Sequence, residues 1–213
     1  MIMFPWLTPE NGFIFRIMVL TNLAHVLEHG VACRNCHHLV QQSDFVTIGE
    51  DDIIKKRDVR RVSCEPFGVL ADYVPFYFAP RSPMLSKITH TNSRVKEEVI
   101  YIVSKVSVVA KAGIPFAFSD GHALMDFSRF SNQLAELSMI DWEVMRSKYW
   151  NPTSQDNDRR RRRMAEFMVH QYFPVDCIRA IVVANEAVAQ AVQQQLDNFA
   201  SQIPVRIQPD WYF

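Results

Sequence analysis

Between Phe13 and Leu20 the chain reads FIFRIMVL, an apolar run broken by one arginine, which has the length and composition of a buried strand. Behind it, TNLAHVLEHG places Leu23, Val26 and Leu27 on one helical face, with Thr21 or Asn22 as the cap and Gly30 as the stop. The polar residues 31–49 read as a loop, and EDDIIKKRDVRRV after them as a short charged helix. ADYVPFYFAPRSPML, residues 71–85, predicts an aromatic strand running into a Pro-punctuated turn; Pro75, which has no N–H, predicts an edge or a bulge. A buried strand from Val99 to Val103 and a helix ending near Gly113 follow, then a short strand and turn in IPFAFSDGHA. Residues 131–150 read as helical, and DNDRRRRRMAEFMVHQYFP as a basic lead into a helix or strand stopped at Pro174. CIRAIVVAN, EAVAQAVQQQLDNFA and VRIQPDWYF close the chain as strand, helix and strand. Strands and helices mix without a strict βαβ rhythm, which predicts an α+β fold. The chain has no repeat, linker or composition break, so one domain is expected over residues 1–213.

Composition narrows the function. The 213 residues are 48% apolar and 12% aromatic, ample for a packed core. Lys plus Arg and Asp plus Glu are both 23, so the field of the whole molecule cannot hold a polyanion, and any nucleic-acid contact rests on local patches. No apolar run approaches the roughly 20 residues that span a bilayer, so no membrane partner is expected. Four unpatterned cysteines suit a reducing cytoplasm. Cys33-Arg34-Asn35-Cys36-His37 does match the C-x-x-C-H pattern of haem attachment. That chemistry needs an export signal, however, and MIMFPWLTPENG has none of its features. A zinc site needs a second ligand pair, and Cys64 and Cys177 stand alone. The expectation is therefore no metal, with Cys33, Cys36, His37 and His38 in a reduced, solvated loop.

Three stretches have the residue types for chemistry. IIKKRDVRR and the RRRRR run at 159–163 are basic clusters in a neutral chain. Each reads either as a solvated helix face or as a phosphate site, since five consecutive arginines cannot all share one helical face. Glu166 lies between an apolar segment and that cationic run; it is either a surface ion-pair partner or a functional carboxylate held ionised by arginine. Tyr73, Phe76, Tyr77 and Phe78 fit a core, yet with Arg81 and the Ser82-Pro83-Met84 turn beside them they also fit a flat aromatic ligand.

FRI at 15–17 with TNLAHVLEHG behind it, Gly49 with IIKKR ending at Arg57, GVLADYVPFYFAPRSPML, IPFAFSDGHA, RRRMAEFMV and the terminal DWYF occur in order. Together they resemble the DarT family, and DYVPFYFAPRSPM is the most specific block. The resemblance runs from about residue 13 to the C-terminus. It implies the fold of an ADP-ribosyltransferase catalytic core, NAD as co-substrate and single-stranded DNA as acceptor. It also implies a toxin that blocks replication and is paired with a DarG-like macrodomain antitoxin.

Carried over position by position, the resemblance makes Glu166 and Arg57 catalytic. Arg16, Asn22, Gly49, Tyr77, Phe78 and Met84 become cofactor-binding, while Arg81, His122, Arg160, Arg161 and Arg162 become DNA-binding. The strand reads FRIM where some relatives have YHIT, and Val19 or Leu20 stands where His or Thr is usual. That version of the strand leans the expected target toward guanine rather than thymine. Glu166 would support the oxocarbenium-like ribose or take the proton of the attacking base, and Arg57 would bind diphosphate or developing charge. CRNCHH then falls in a variable loop that covers bound NAD. The rival readings are a transferase acting on RNA or protein, and a binding module without catalysis.

Overall fold

The computed structural model describes residues 1–39 and 45–213, with the backbone alone for residues 37–39. The covering-loop expectation for CRNCHH and the residues after it thus lies partly outside the described residues. The chain forms β1 (Phe13–Val19), α1 (Leu23–His29), β2 (Val31–Ala32), α2 (Asp51–Arg57), β3 (Tyr73–Tyr77), α3 (Pro83–Thr91) and α4 (Val95–Glu98). It continues with β4 (Val99–Lys105), α5 (Val106–Lys111), β5 (Phe116–Ser119), β6 (Phe130–Ser131), α6 (Trp142–Arg146), α7 (Arg159–Arg163) and β7 (Glu166–His170). It ends with β8 (Tyr172–Phe173), β9 (Ala180–Val183), α8 (Glu186–Asn198) and β10 (Val205–Ile207). Eight strands make one mixed sheet in the order β10-β9-β4-β1-β3-β7-β5-β6, and β2 pairs with β8 apart from it. Only β9 and β10 pair in parallel in the large sheet, the signature of an α+β rather than a βαβ fold.

Apolar runs become the central strands. Val99, Ile100, Tyr101, Ile102 and Val103 of β4 are all buried, as their unbroken hydrophobicity predicts. β1 pairs with β4 along its whole length, from Phe13 opposite Lys105 to Val19 opposite Val99. Its contact with β3 is a single pair, Phe15 opposite Tyr77.

That divergence corrects the expectation for Pro75. The residue is in the middle of the sheet, not at an edge, and it is tolerated because its missing N–H faces the gap between β1 and β3. Its carbonyl there accepts the Arg16 guanidinium at 3.0 Å. Residues 131–150 also differ from expectation: only α6 is α-helical, with a 3₁₀ turn at Leu134–Met139. The stretch is too short of continuous periodicity to hold one helix, and Asp141 starts a new one by accepting the Val144 N–H.

The C-terminal DWYF closes the core. Trp211 stacks on Trp6 and meets Phe15 and Tyr101 edge-on. The Tyr212 hydroxyl reaches the Val99 and Val182 carbonyls at 3.1 and 3.2 Å. Among the described residues no helix is long and apolar enough to cross a membrane.

Candidate active site

A cavity of about 730 Å³ opens over the split between β1 and β3. Arg16 enters it from β1, Tyr77 from β3, Arg57 from the end of α2, Met84 and Lys87 from α3, and Glu166 from the start of β7. The register puts Glu166 directly opposite Tyr77. Strand alternation then separates the two faces: Glu166 and Met168 look to the cavity side, while Phe167 packs below with Phe116 and Phe78.

Glu166 is 2% exposed and fully engaged. One carboxylate oxygen accepts Arg57 Nη1 at 2.9 Å, and the other accepts the Ala123 N–H at 3.2 Å. Its own N–H donates to Ser119 Oγ at 3.3 Å, and that hydroxyl donates to the Gly121 carbonyl at 2.7 Å. The strand end and the turn after β5 therefore hold the carboxylate from three directions. Arg57 carries a second nitrogen, Nη2, that is buried without a hydrogen-bond partner, and Arg16 Nε is likewise unpartnered. Burial, with Arg57 nearby, pushes the Arg16 guanidinium down to about 10. Burial, and then the neighbouring Glu166, raises the Tyr77 phenol. Tyr77 is thus a neutral donor, and its hydroxyl reaches Met84 Sδ at 3.6 Å. His122 lines the same wall, and burial lowers its pKa, which leaves it a neutral imidazole near pH 7.

The structure brings several of the sequence-derived site residues together at one cavity. Glu166, Arg57, Arg16, Tyr77, Met84, His122 and Arg160 all line the cavity, and Gly49 forms part of its rim. A Cβ at Gly49 would meet Ile54 at 3.3 Å, so a side chain there presses on α2.

Others are corrected. Asn22 lies behind the wall: its carboxamide donates to the Val46 carbonyl and accepts the Val46 N–H at 2.8 and 2.9 Å, and it is not among the cavity-lining residues, so it positions the wall. Phe78 is fully buried against Phe118, Trp142 and Phe167, because it follows Tyr77 and so points to the opposite face. Arg81 does not reach the cavity; it donates to the carbonyls of Tyr212 and Asp210 and lies 4.1 Å over the Phe213 ring.

The arginine run is mostly structural. Arg163, 1% exposed, donates to the carbonyls of Pro80, Val144, Met145 and Ser147. Arg162 pairs with Asp141 and Asp156, and Arg161 with Asp120 and Asp158. Arg162 is absent from the cavity lining and its charge is spent on carboxylates, which removes it from the DNA-binding set; Arg161 lines the cavity with its charge already paired. Arg160 is exposed and has no acidic partner among the described residues.

Cys33 and Cys36 are buried thiols, not a solvated pair. Burial and the adjacent Cys36 push Cys33 up to about 12, and the Cys33 N–H is bonded to the Gln171 carbonyl. Cys33 lines the cavity. Among the described residues no three ligating side chains gather as a metal site. Sequence reading missed Lys87, Met125 and the Ala123 N–H; the last two lie in the GHALM turn, whose signal was the Asp120-Gly121 pair after a buried strand.

The cavity brings together a buried carboxylate paired with one arginine, a second buried guanidinium, a phenol and a thioether, a set of groups suited to an anionic ligand with a flat portion. Over residues 15–213 the chain matches the family model described as DarT, ssDNA thymidine ADP-ribosyltransferase. It is 32% identical to a DNA ADP-ribosyl transferase of Escherichia coli O127:H6 (strain E2348/69 / EPEC) over 211 residues, covering 97% of this chain and 96% of the relative. The solved structure of Thermus sp. 2.9 DarT in complex with ADP-ribosylated ssDNA superposes with a TM-score of 0.85 at 34% identity, covering 96% of this chain and 98% of that one. The same protein in complex with NAD+ gives a TM-score of 0.83 at 34% identity, covering 96% and 99%. The chain belongs to the DarT family of DNA ADP-ribosyltransferases.

Proposed function

We propose that the protein transfers ADP-ribose from NAD to a nucleobase of single-stranded DNA, with residues 1–213 acting as one catalytic domain. On this reading it works in the cytoplasm as a toxin that blocks replication and is neutralised by a DarG-like macrodomain antitoxin. One observation carries the enzymatic core of the proposal: the Arg57–Glu166 pair at the cavity floor, beside two guanidinium nitrogens with no partner of their own. Unpartnered buried donors are costly, so they fit a ligand rich in phosphate or hydroxyl oxygens.

NAD supplies an activated glycosidic bond and nicotinamide as the leaving group. Arg16 and Arg57 would hold its oxygens, while Tyr77 and Met84 give a flat apolar wall. As the base nitrogen bonds to ribose C1′, the C1′–nicotinamide bond breaks and its electron pair leaves with nicotinamide. Glu166 stabilises the positive charge on the ribose and accepts the proton of the attacking nitrogen. Arg57 keeps that carboxylate aimed.

For the base, the family description favours thymidine. Its only nitrogen not already bound to sugar is the protonated N3, which needs a general base. Guanine is the second reading, favoured by Arg16 on an FRI strand, since arginine is the usual partner of guanine O6 and N7. The deciding experiment incubates the protein with NAD and four single-stranded oligonucleotides, each carrying one base type at a central position, and weighs the nucleoside products. An ADP-ribosylated thymidine or deoxyguanosine decides between the readings. Labelling of RNA or protein acceptors in place of DNA overturns both, as does DNA binding with no release of nicotinamide.

A further inference from the structure

The turn between β5 and β6 presents two apolar side chains to solvent beside the cavity: Met125 is 40% exposed and Phe127 62%. Met125 lines the cavity, and the same turn supplies the Ala123 N–H to Glu166. Exposed aromatics on loose loops are common, but this turn is held rigid. At its base Asp120 and Arg129 exchange backbone and side-chain bonds of 3.1 to 3.3 Å. Across its middle Ser128 Oγ donates to the His122 carbonyl at 2.8 Å. On one side Arg60 donates to the carbonyls of Ala123 and Met125 and to Asp126. On the other, Arg161 donates to Asp120 and Ser128 and lies 4.9 Å from the Phe127 ring centroid. A Cβ on Gly121 would meet an Arg161 nitrogen at 2.2 Å, so glycine is what lets that arginine pass beneath the turn.

We propose that Phe127 is a stacking platform for the nucleobase adjacent to the one being modified. The inference rests on the DNA-modifying reading and adds a subsite to it. Arg161 backs one face of the ring and leaves the ring solvent-exposed, two residues along the turn from Met125 at the cavity wall; a base stacked there would neighbour one entering the cavity past Met125. Stacking explains how a chain with no net charge selects a single strand, because only unpaired bases offer a free π-face. Arg60 and Arg161 are consumed in holding the turn, so the platform adds affinity through area and not through charge.

The test uses a single-stranded oligonucleotide with one modifiable base, in three versions: intact, abasic on its 5′ side and abasic on its 3′ side. Phe127→Ala should raise KM for the intact strand about ten-fold, the usual range for one lost base–aromatic stack, with kcat nearly unchanged and Phe127→Trp restoring it. One of the two abasic strands should raise the wild-type KM to a similar extent and have no added effect on Phe127→Ala. A Phe127→Ala KM equal to wild type, or abasic and Phe127→Ala effects that multiply, would overturn the platform. Thermal melting of the variants separates loss of fold from loss of contact. Should wild type transfer nothing to DNA, the function reading fails, and fluorescence anisotropy of the same three strands on the same variants still decides the stack.

Discussion

Glu166 shows how much one side chain's surroundings set its behaviour. It is buried, and removing it strands the Arg57 guanidinium and the Ala123 N–H together. Breaking such a pair destabilises by up to about 3–5 kcal/mol, less where water can enter, as the cavity allows here. Glu166→Gln keeps the shape and an acceptor but cannot accept the proton. Nicotinamide release and DNA labelling should therefore fall by several orders of magnitude while the melting temperature drops only modestly; DNA labelling within ten-fold of wild type would remove Glu166 from catalysis. Glu166→Ala should also lose labelling but melt distinctly lower. Sequence alone left the choice between surface ion pair and functional carboxylate open, because burial of Glu166 comes from Ala123 and Ser119, strands away in sequence. His122 adds a pH dependence. Burial lowers its folded pKa below the ordinary 6.5, so the unfolded chain binds the proton more readily than the folded one. Its neutral form stabilises the fold fully above about pH 6.5, and that contribution is lost as pH falls through the folded value. Thermal unfolding followed from pH 7.5 to 5 should show the decline, and His122→Gln should flatten it; an unchanged slope would place the acid sensitivity elsewhere, the half-buried His170 being the other histidine so shifted among the described residues.

Elements, in turn, decide what a charge run means. α7 is five arginines, and the sequence reading sent them toward phosphate. The compensating signal was present: Asp156 and Asp158 stand just ahead, and the structure folds them back onto Arg161 and Arg162. What could not be read locally is Asp120 and Asp141, which arrive from other elements, or the carbonyls that swallow Arg163. Of this run, only Arg160 keeps a free charge at the cavity among the described residues. Arg160→Ala should weaken single-stranded DNA binding by a similar factor for every sequence and lower the salt slope by about one ion. Arg162→Ala should instead lower the melting temperature and leave the salt slope alone. Equal salt slopes for both variants would return the whole run to the DNA interface. β3 teaches the same lesson from backbone: Pro75 predicts an edge or a bulge from sequence, whereas it lies inside the sheet, where β1 and β3 part to make the cavity.

At the scale of the whole molecule, 23 basic and 23 acidic residues give no net attraction to a polyanion, so association with DNA depends on the few cations left unpaired around the cavity. The strands of the mixed sheet and its core follow from apolar runs that were readable one by one, whereas the order of the strands, and the cavity where two of them fail to pair, were not. That cavity is a pocket between strands and not a groove along the surface, so a base must leave its neighbours to reach Glu166. For duplex DNA this means unpairing and unstacking, at a few kcal/mol; for a single strand most of that is already done. The protein should therefore label a single-stranded oligonucleotide at least about a hundred-fold faster than the same sequence annealed to its complement. Raising salt from 50 to 200 mM should raise KM for the single strand by far less than the roughly three-hundred-fold expected of a protein making six phosphate contacts to a single strand. Initial rates on matched single and double strands across that salt range measure both. Duplex labelling at the single-strand rate would mean that the base is read without leaving the helix, and a steep salt slope would mean that the arginines paired here release their aspartates to hold phosphate.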